Sequence, residues 1–186
     1  MIRRRAWVAG RKESAPLNMP SSGWGTSIRG LGTLIAVVMR YPEVSSMQYN
    51  PESETLTLAF IVRRNLEPSV WTELDHAIRE ILVAYRSLTR TPLEVLELDA
   101  MTVESVTVIE VTRDAKTLSV EEVGMLIEML RDRFEFDVAA DPNDLLEEEM
   151  LVQEENIQAG LEALNKGSNG QLVALREDGR VVVFKT

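Results

Sequence analysis

The chain has 186 residues, enough for one domain or a domain plus an appendage, and its 45% apolar and 27% charged content is that of a globular protein. With no cysteine and a single histidine, His76, it has no disulfide framework, no thiolate metal centre, no thiol nucleophile and no site needing two imidazoles. The net charge of −10 is unevenly spread: residues 1–40 hold seven basic side chains against Glu13 alone, a balance of +6, and the remainder carries −16.

An acidic body repels phosphate backbones, so no nucleic-acid contact is expected of it, and the basic arm is the one segment suited to nucleic acid or anionic lipid. Gly23, Gly25, Gly30 and Gly32, with Pro16 and Pro20, leave no helical or strand period before Leu34. Residues 1–38 are therefore expected to be a disordered or non-native basic arm, with the true start near Met39. A transit peptide fits the arginine-rich, acid-poor composition. A signal peptide fits poorly, because Leu31–Met39 is short and late and no small-residue cleavage site follows. Arg4-Arg5 resembles a twin-arginine start, but Arg11, Lys12 and Glu13 break the apolar stretch that should come next. No run approaches the roughly 18 apolar residues of a membrane span, and the expected location is the cytoplasm.

From Met39 the pattern is regular. Ser45, Met47 and Tyr49 share one side of a short strand, and Asn50-Pro51-Glu52-Ser53 forms a turn. Thr55–Val62 alternates, with Leu56, Leu58, Phe60 and Val62 opposite Thr55, Thr57, Ala59 and Ile61. A first helix is predicted from Ser69 to Leu88, its stripe running through Trp71, Leu74, Ile78, Ile81, Leu82, Tyr85 and Leu88. Two strands follow, Leu93–Leu98 and Ser105–Thr112. Ser119-Val120-Glu121-Glu122 reads as a capping box opening a second helix that reaches Phe134. Phe136 and Val138 then suggest a short strand. Asp141-Pro142-Asn143-Asp144 starts a third helix ending near Asn165. Asp178-Gly179 joins Leu172–Leu175 to Val181–Phe184 as a hairpin.

The fold class is α+β: an antiparallel sheet with helices on one face, built as two successive ββα units followed by a long helix and a C-terminal hairpin. Residues 39–141 form the core domain, and 142–186 an appendage packed on that core or on a second subunit.

Catalytic signatures are absent from the sequence: no phosphate-binding glycine loop follows a strand, and no nucleophile elbow is present. No catalytic residue and no cofactor is assigned. Glu73, His76 and Glu80 share a helix face, but half a di-iron motif without a second histidine reads as a solvated surface. The alternative enzyme reading is a divalent-metal-dependent hydrolase in which Glu97, Asp99 and Glu110 gather on paired strands around oxygen-loving metal.

The favoured reading is a non-catalytic interaction or regulatory protein acting through its helices. In the second helix Val123, Ile127, Leu130 and Phe134 face the sheet, while Met125 and Met129 lie nearly opposite, with Leu126 between. Flexible methionines on a second face suit either another subunit or cover by the third helix. The third helix carries an a/d seam, Leu146, Met150, Gln153, Ile157, Gly160 and Leu164, interrupted by Gln153 and Gly160. Met125, Leu126, Met129, Leu146, Met150, Ile157, Leu161 and Leu164 are thus the candidate interface, with a second copy in a homodimer or another protein as partner.

Overall fold

The alternation in Thr55–Val62 builds the centre of the molecule. In the computed structural model Leu56, Leu58, Phe60 and Val62 are wholly buried on one side of the sheet. The structure describes residues 24–140, 156–161, 164, 170–177 and 179–185. In chain order the elements are α1 (Trp24–Arg40), β1 (Val44–Asn50), β2 (Thr55–Val62), α2 (Pro68–Thr89), β3 (Leu96–Val103), β4 (Val106–Asp114) and α3 (Val120–Phe134). A 3₁₀ turn, Glu135–Asp137, follows. Residues 156–161 and 164 are helical and are called α4 below; β5 (Leu172–Glu177) and β6 (Arg180–Lys185) end the chain.

The six strands form one antiparallel sheet in the order β3-β4-β2-β1-β5-β6. Buried residues of α1, α2, α3 and α4 join those of β1, β2, β4 and β5 in a single core, so the described helices lie on one face, as the sequence predicts. The C-terminal hairpin turns between Glu177 and Arg180, where the sequence reading puts it. Glu177 pairs with Arg180, and Gly179 takes the left-handed conformation (φ 72°) that a tight hairpin favours.

Three expectations change. First, residues 24–38 are not an arm. They belong to α1, where Leu34, Val37 and Val38 are wholly buried, and Met39 falls inside the helix. Glycines normally weaken a helix interior by about 1 kcal/mol each, which hides this helix from a local reading. The tertiary reason for Gly30 is close approach: a Cβ there would lie 2.6 Å from the Leu164 side chain of α4. Residues 1–23 lie outside the described residues.

Second, the C-terminal hairpin is no appendage. β5 pairs with β1, Met47 opposite Ala174 and Tyr49 opposite Leu172, so the last strands extend the same sheet as the first. Third, the predicted strand at Phe136 and Val138 is a 3₁₀ turn followed by a single bridge from Val138 to Val62, with Phe136 exposed.

Smaller differences have local causes. β3 begins at Leu96 instead of Leu93 because side chains engage the backbone of Val95, whose N–H donates to Asp114 (3.2 Å) and whose carbonyl accepts from Arg113 (2.6 Å). In α2 the buried row is Leu74, Ile78, Leu82 and Arg86, a ridge of fourth neighbours, which leaves Leu88 84% exposed.

Candidate functional site

Five places were predicted or are built to carry chemistry or contact: the carboxylates of β3 and β4, the helices, the charged groups the fold buries, a cleft beside α3, and the sheet's other face.

The carboxylates come first. In the β3–β4 register Asp99 lies directly opposite Glu110, and Glu97 opposite Thr112. All three residues are exposed on the face away from the helices. Among the described residues no group of three or more His, Asp or Glu side chains is placed to hold a metal ion. The metal arrangement expected of Glu97, Asp99 and Glu110 is therefore not assembled; strand pairing aligns two of them, but both project into solvent. His76 likewise sits on the exposed side of α2, 3.3 Å from Glu80, with Glu73 paired instead to Arg133 of α3.

The candidate interface divides three ways. Leu126 is wholly buried in the core, and Ile157, Leu161 and Leu164 of α4 are each 1% exposed. These four pack within this single chain, the in-chain alternative. Met125 and Met129 are half-buried against the core, and Met129 lines a groove of about 260 Å³ between α2 and α3 with Leu74 and Ala77. Leu146 and Met150 lie outside the described residues. Gly160 does not interrupt the α4 seam: a Cβ there would come within 3.0 Å of the Thr33 Cβ, so its bareness lets α4 close onto α1.

Burial of charge is the feature the sequence reading missed. Glu122, the last residue of the predicted capping box, keeps half of that motif: its N–H donates to the Ser119 hydroxyl at 3.4 Å. Its carboxylate turns inward and accepts from two guanidiniums, Arg113 of β4 and Arg86 of α2. Arg113 also donates to Asp114, to the Val95 carbonyl and, at 3.1 Å, to Thr117 Oγ1. Arg86 donates to Thr91 Oγ1 at 2.9 Å and to the Thr117 carbonyl. Both Arg113 and Glu122 are fully buried, Asp114 and Arg86 nearly so.

Two cations and two anions balance here, a requirement for charges removed from water. Burial lowers the pKa of both guanidiniums, the Arg86 group further because Arg113 is near, and the Arg113 group against the opposing pull of Asp114. Burial would raise the Asp114 carboxyl, but hydrogen bonds from Thr117, Arg113 and the Val95 N–H, with the Arg113 charge, hold it below its ordinary value. The signal was present in the sequence: Arg113 continues the inward alternation of Ile109 and Val111, and Arg86 falls four residues after Leu82. The network ties α2, β4, the turn after it and α3 together.

A cleft of roughly 470 Å³ opens between the α1–β1 turn and α3, lined by Tyr41, Glu43, Gly124 and Arg131 among others. Glu43 and Glu128 engage Arg131, the latter at 3.0 Å, so that its charge is used within the protein.

The sheet's other face is bare of helices among the described residues. Strand register places Met101 and Val103 of β3 beside Val106 and Val108 of β4, with Ile61 of β2 next in line. At the far edge Val173 and Leu175 of β5 pair with Phe184 and Val182 of β6. Met101, Val103 and Phe184 are 46%, 45% and 49% exposed. Between these patches run Ser46, Gln48, Thr57 and Ala59, a stretch that mixes polar and small side chains. A solvated face of an antiparallel sheet ordinarily alternates to polar residues, and this one keeps valines on both sides of β4.

No family model, no curated protein and no solved structure matches the chain.

Proposed function

We propose that this chain is a non-catalytic interaction protein that engages protein partners through the face of its sheet that no described helix covers. The observation that carries the reading is the apolar composition of that face, where Met101, Val103, Val106, Val108 and Ile61 adjoin one another. An exposed apolar patch rimmed by carboxylates, here Glu97, Asp99 and Glu110, has the layout of a recognition surface: apolar contact supplies affinity and the charged rim selects the partner. The helices contribute indirectly. Leu126, Ile157, Leu161 and Leu164 are spent on the core, and the buried Arg86–Glu122–Arg113–Asp114 network ties α2, β4 and α3 together beneath the sheet.

The test is photo-crosslinking in living cells with a light-activated residue at Met101, beside a control at His76 on the exposed side of α2. Discrete adducts from position 101 and none from 76 are expected. Equal labelling from both positions, or none from 101, would refute the assignment of the surface.

A further inference from the structure

The helix layer carries a second contact surface, the groove between α2 and α3, and we infer that its occupant is the basic N-terminal segment of the same chain, residues 1–23. This goes beyond the interaction reading above and concerns the opposite side of the fold.

The two helices run antiparallel, since Glu73 meets Arg133 at one end and Tyr85 meets Ser119 at the other. α2 buries one row, Leu74, Ile78, Leu82 and Arg86, yet it carries a second apolar row at helical spacing, Ala77, Ile81, Ala84 and Leu88. All four residues of that row are exposed, and Ala77 lines the groove together with Met129 of α3. Met125 and Met129 give the opposite wall flexible, half-buried side chains suited to an adaptable contact. Acids stand on both banks. Glu73 and Glu80 lie one turn before Ala77 and Ala84, and Glu121 and Asp132 lie one turn from Met125 and Met129. Arg133 engages Glu73, whereas Glu121 and Asp132 make no ion pair among the described residues.

Charge and chemistry select the occupant. Residues 1–23 hold Arg3, Arg4, Arg5, Arg11 and Lys12 against Glu13, a balance of +4, around the apolar stretch Ala6-Trp7-Val8-Ala9. α2 and α3 together carry seven acidic side chains against four arginines, a balance of −3. Trp7 suits the apolar floor, and the flanking cations suit the acidic banks. The other long segment outside the described residues, 141–155, has seven acids and no base, so the same banks repel it. Reach permits the contact. α1 lies toward the end of the sheet where Gly30 approaches Leu172, Leu172 pairs with Tyr49, and Leu56 pairs with both Tyr49 and Arg113. At that end α3 starts and α2 finishes. The 16 residues between Trp7 and Trp24 extend to about 53 Å at roughly 3.3 Å each. Four strand spacings, from β5 under α1 to β3 under α2, come to about 19 Å. A tethered segment meets its groove at a high effective concentration, so a modest contact suffices.

Because the chain has no cysteine, Ala9→Cys takes a single nitroxide, and carbon-13 methionine methyl groups report its distance by nuclear magnetic resonance. In the full chain the Met125 and Met129 methyl signals, assigned through Met125→Leu and Met129→Leu, should lose most of their intensity. Met101, on the sheet's other face, should keep its own. Adding Arg3→Glu/Arg4→Glu/Arg5→Glu should restore most of both signals with an unchanged circular dichroism spectrum, and added salt should act in the same direction. No selective loss at Met125 and Met129, or a loss undiminished in the triple variant, overturns the inference. Loss confined to Met150 would place the arm on the acidic residues 141–155 and overturns it as well. Nitroxide-bearing chains without carbon-13, mixed with carbon-13 chains without nitroxide, should show no loss at either methionine. Loss in that mixture means that the arm of one copy reaches the groove of another, and refutes docking within the chain.

Discussion

Replacing Glu122 by Gln keeps the size of the side chain and removes the charge that two buried guanidiniums share. Arg113 retains Asp114, the Val95 carbonyl and Thr117, but Arg86 keeps only neutral acceptors, Thr91 Oγ1 and the Thr117 carbonyl. The Arg86 side chain is 6% exposed and that of Glu122 is 0% exposed, so water cannot take the place of the lost carboxylate. Breaking a buried pair from one side costs about 3–5 kcal/mol. That is about a fifth or more of the roughly 5–15 kcal/mol by which a domain is stable. For a chain of this length, at about 2–4 °C per kcal/mol, the melting temperature should fall by roughly 6–20 °C. Urea titration of Glu122→Gln should show a lower midpoint with an unchanged slope. Removing both charges by Arg86→Met/Glu122→Leu leaves the Arg113–Asp114 pair intact and should recover most of the loss, since an apolar pair of similar volume replaces a buried ion pair at little penalty. A loss below about 1 kcal/mol in Glu122→Gln, the scale of an exposed ion pair, would refute the reasoning by showing that water reaches Arg86.

Other perturbations test other layers of the fold. Deleting residues 1–38 removes Leu34, Val37 and Val38 from the core, each worth about 1.5–3 kcal/mol of burial, and should abolish cooperative thermal unfolding; a Met39–Thr186 chain that melts near the full-length temperature would show that α1 is dispensable. Gly160→Ala gains helix propensity but drives a methyl to 3.0 Å from the Thr33 Cβ, a contact no side-chain rotation relieves, and should destabilise by about 1–3 kcal/mol in chemical denaturation. The Asp114 carboxyl titrates below its ordinary 3.8 in the folded protein, so its contribution is complete above that value and lost as pH falls through the lower folded value. Asp114→Asn should therefore be less stable than wild type at neutral pH and lose less stability on acidification, and urea midpoints between about pH 5 and pH 2.5 will show whether the two curves converge.

Local physics was enough for the elements whose period and end signals agree. The alternation of Leu56 to Val62, the Ser119 cap of α3 and the hairpin turn at Gly179 each depend on a few neighbouring residues, and each stands where the sequence reading puts it. The antiparallel α+β class follows from the same signals, because hairpins joined by short turns pair with themselves and turn one apolar face toward the helices. Tertiary structure decided what local preference opposes or leaves open. The glycines of α1 read as breakers until Gly30 is seen against Leu164, and Gly160 reads as a gap until Thr33 occupies it. Glu97, Asp99 and Glu110 lie on one face by alternation, but the direction of that face, away from the core, is set by which side the helices cover. Arg86 and Arg113 occupy apolar positions at a cost offset by Asp114, the neighbour of Arg113 in β4, and by Glu122, which arrives from α3. A charge in the core is legible in a sequence as an exception to the pattern, and its meaning depends on contacts that exist only once the chain has folded.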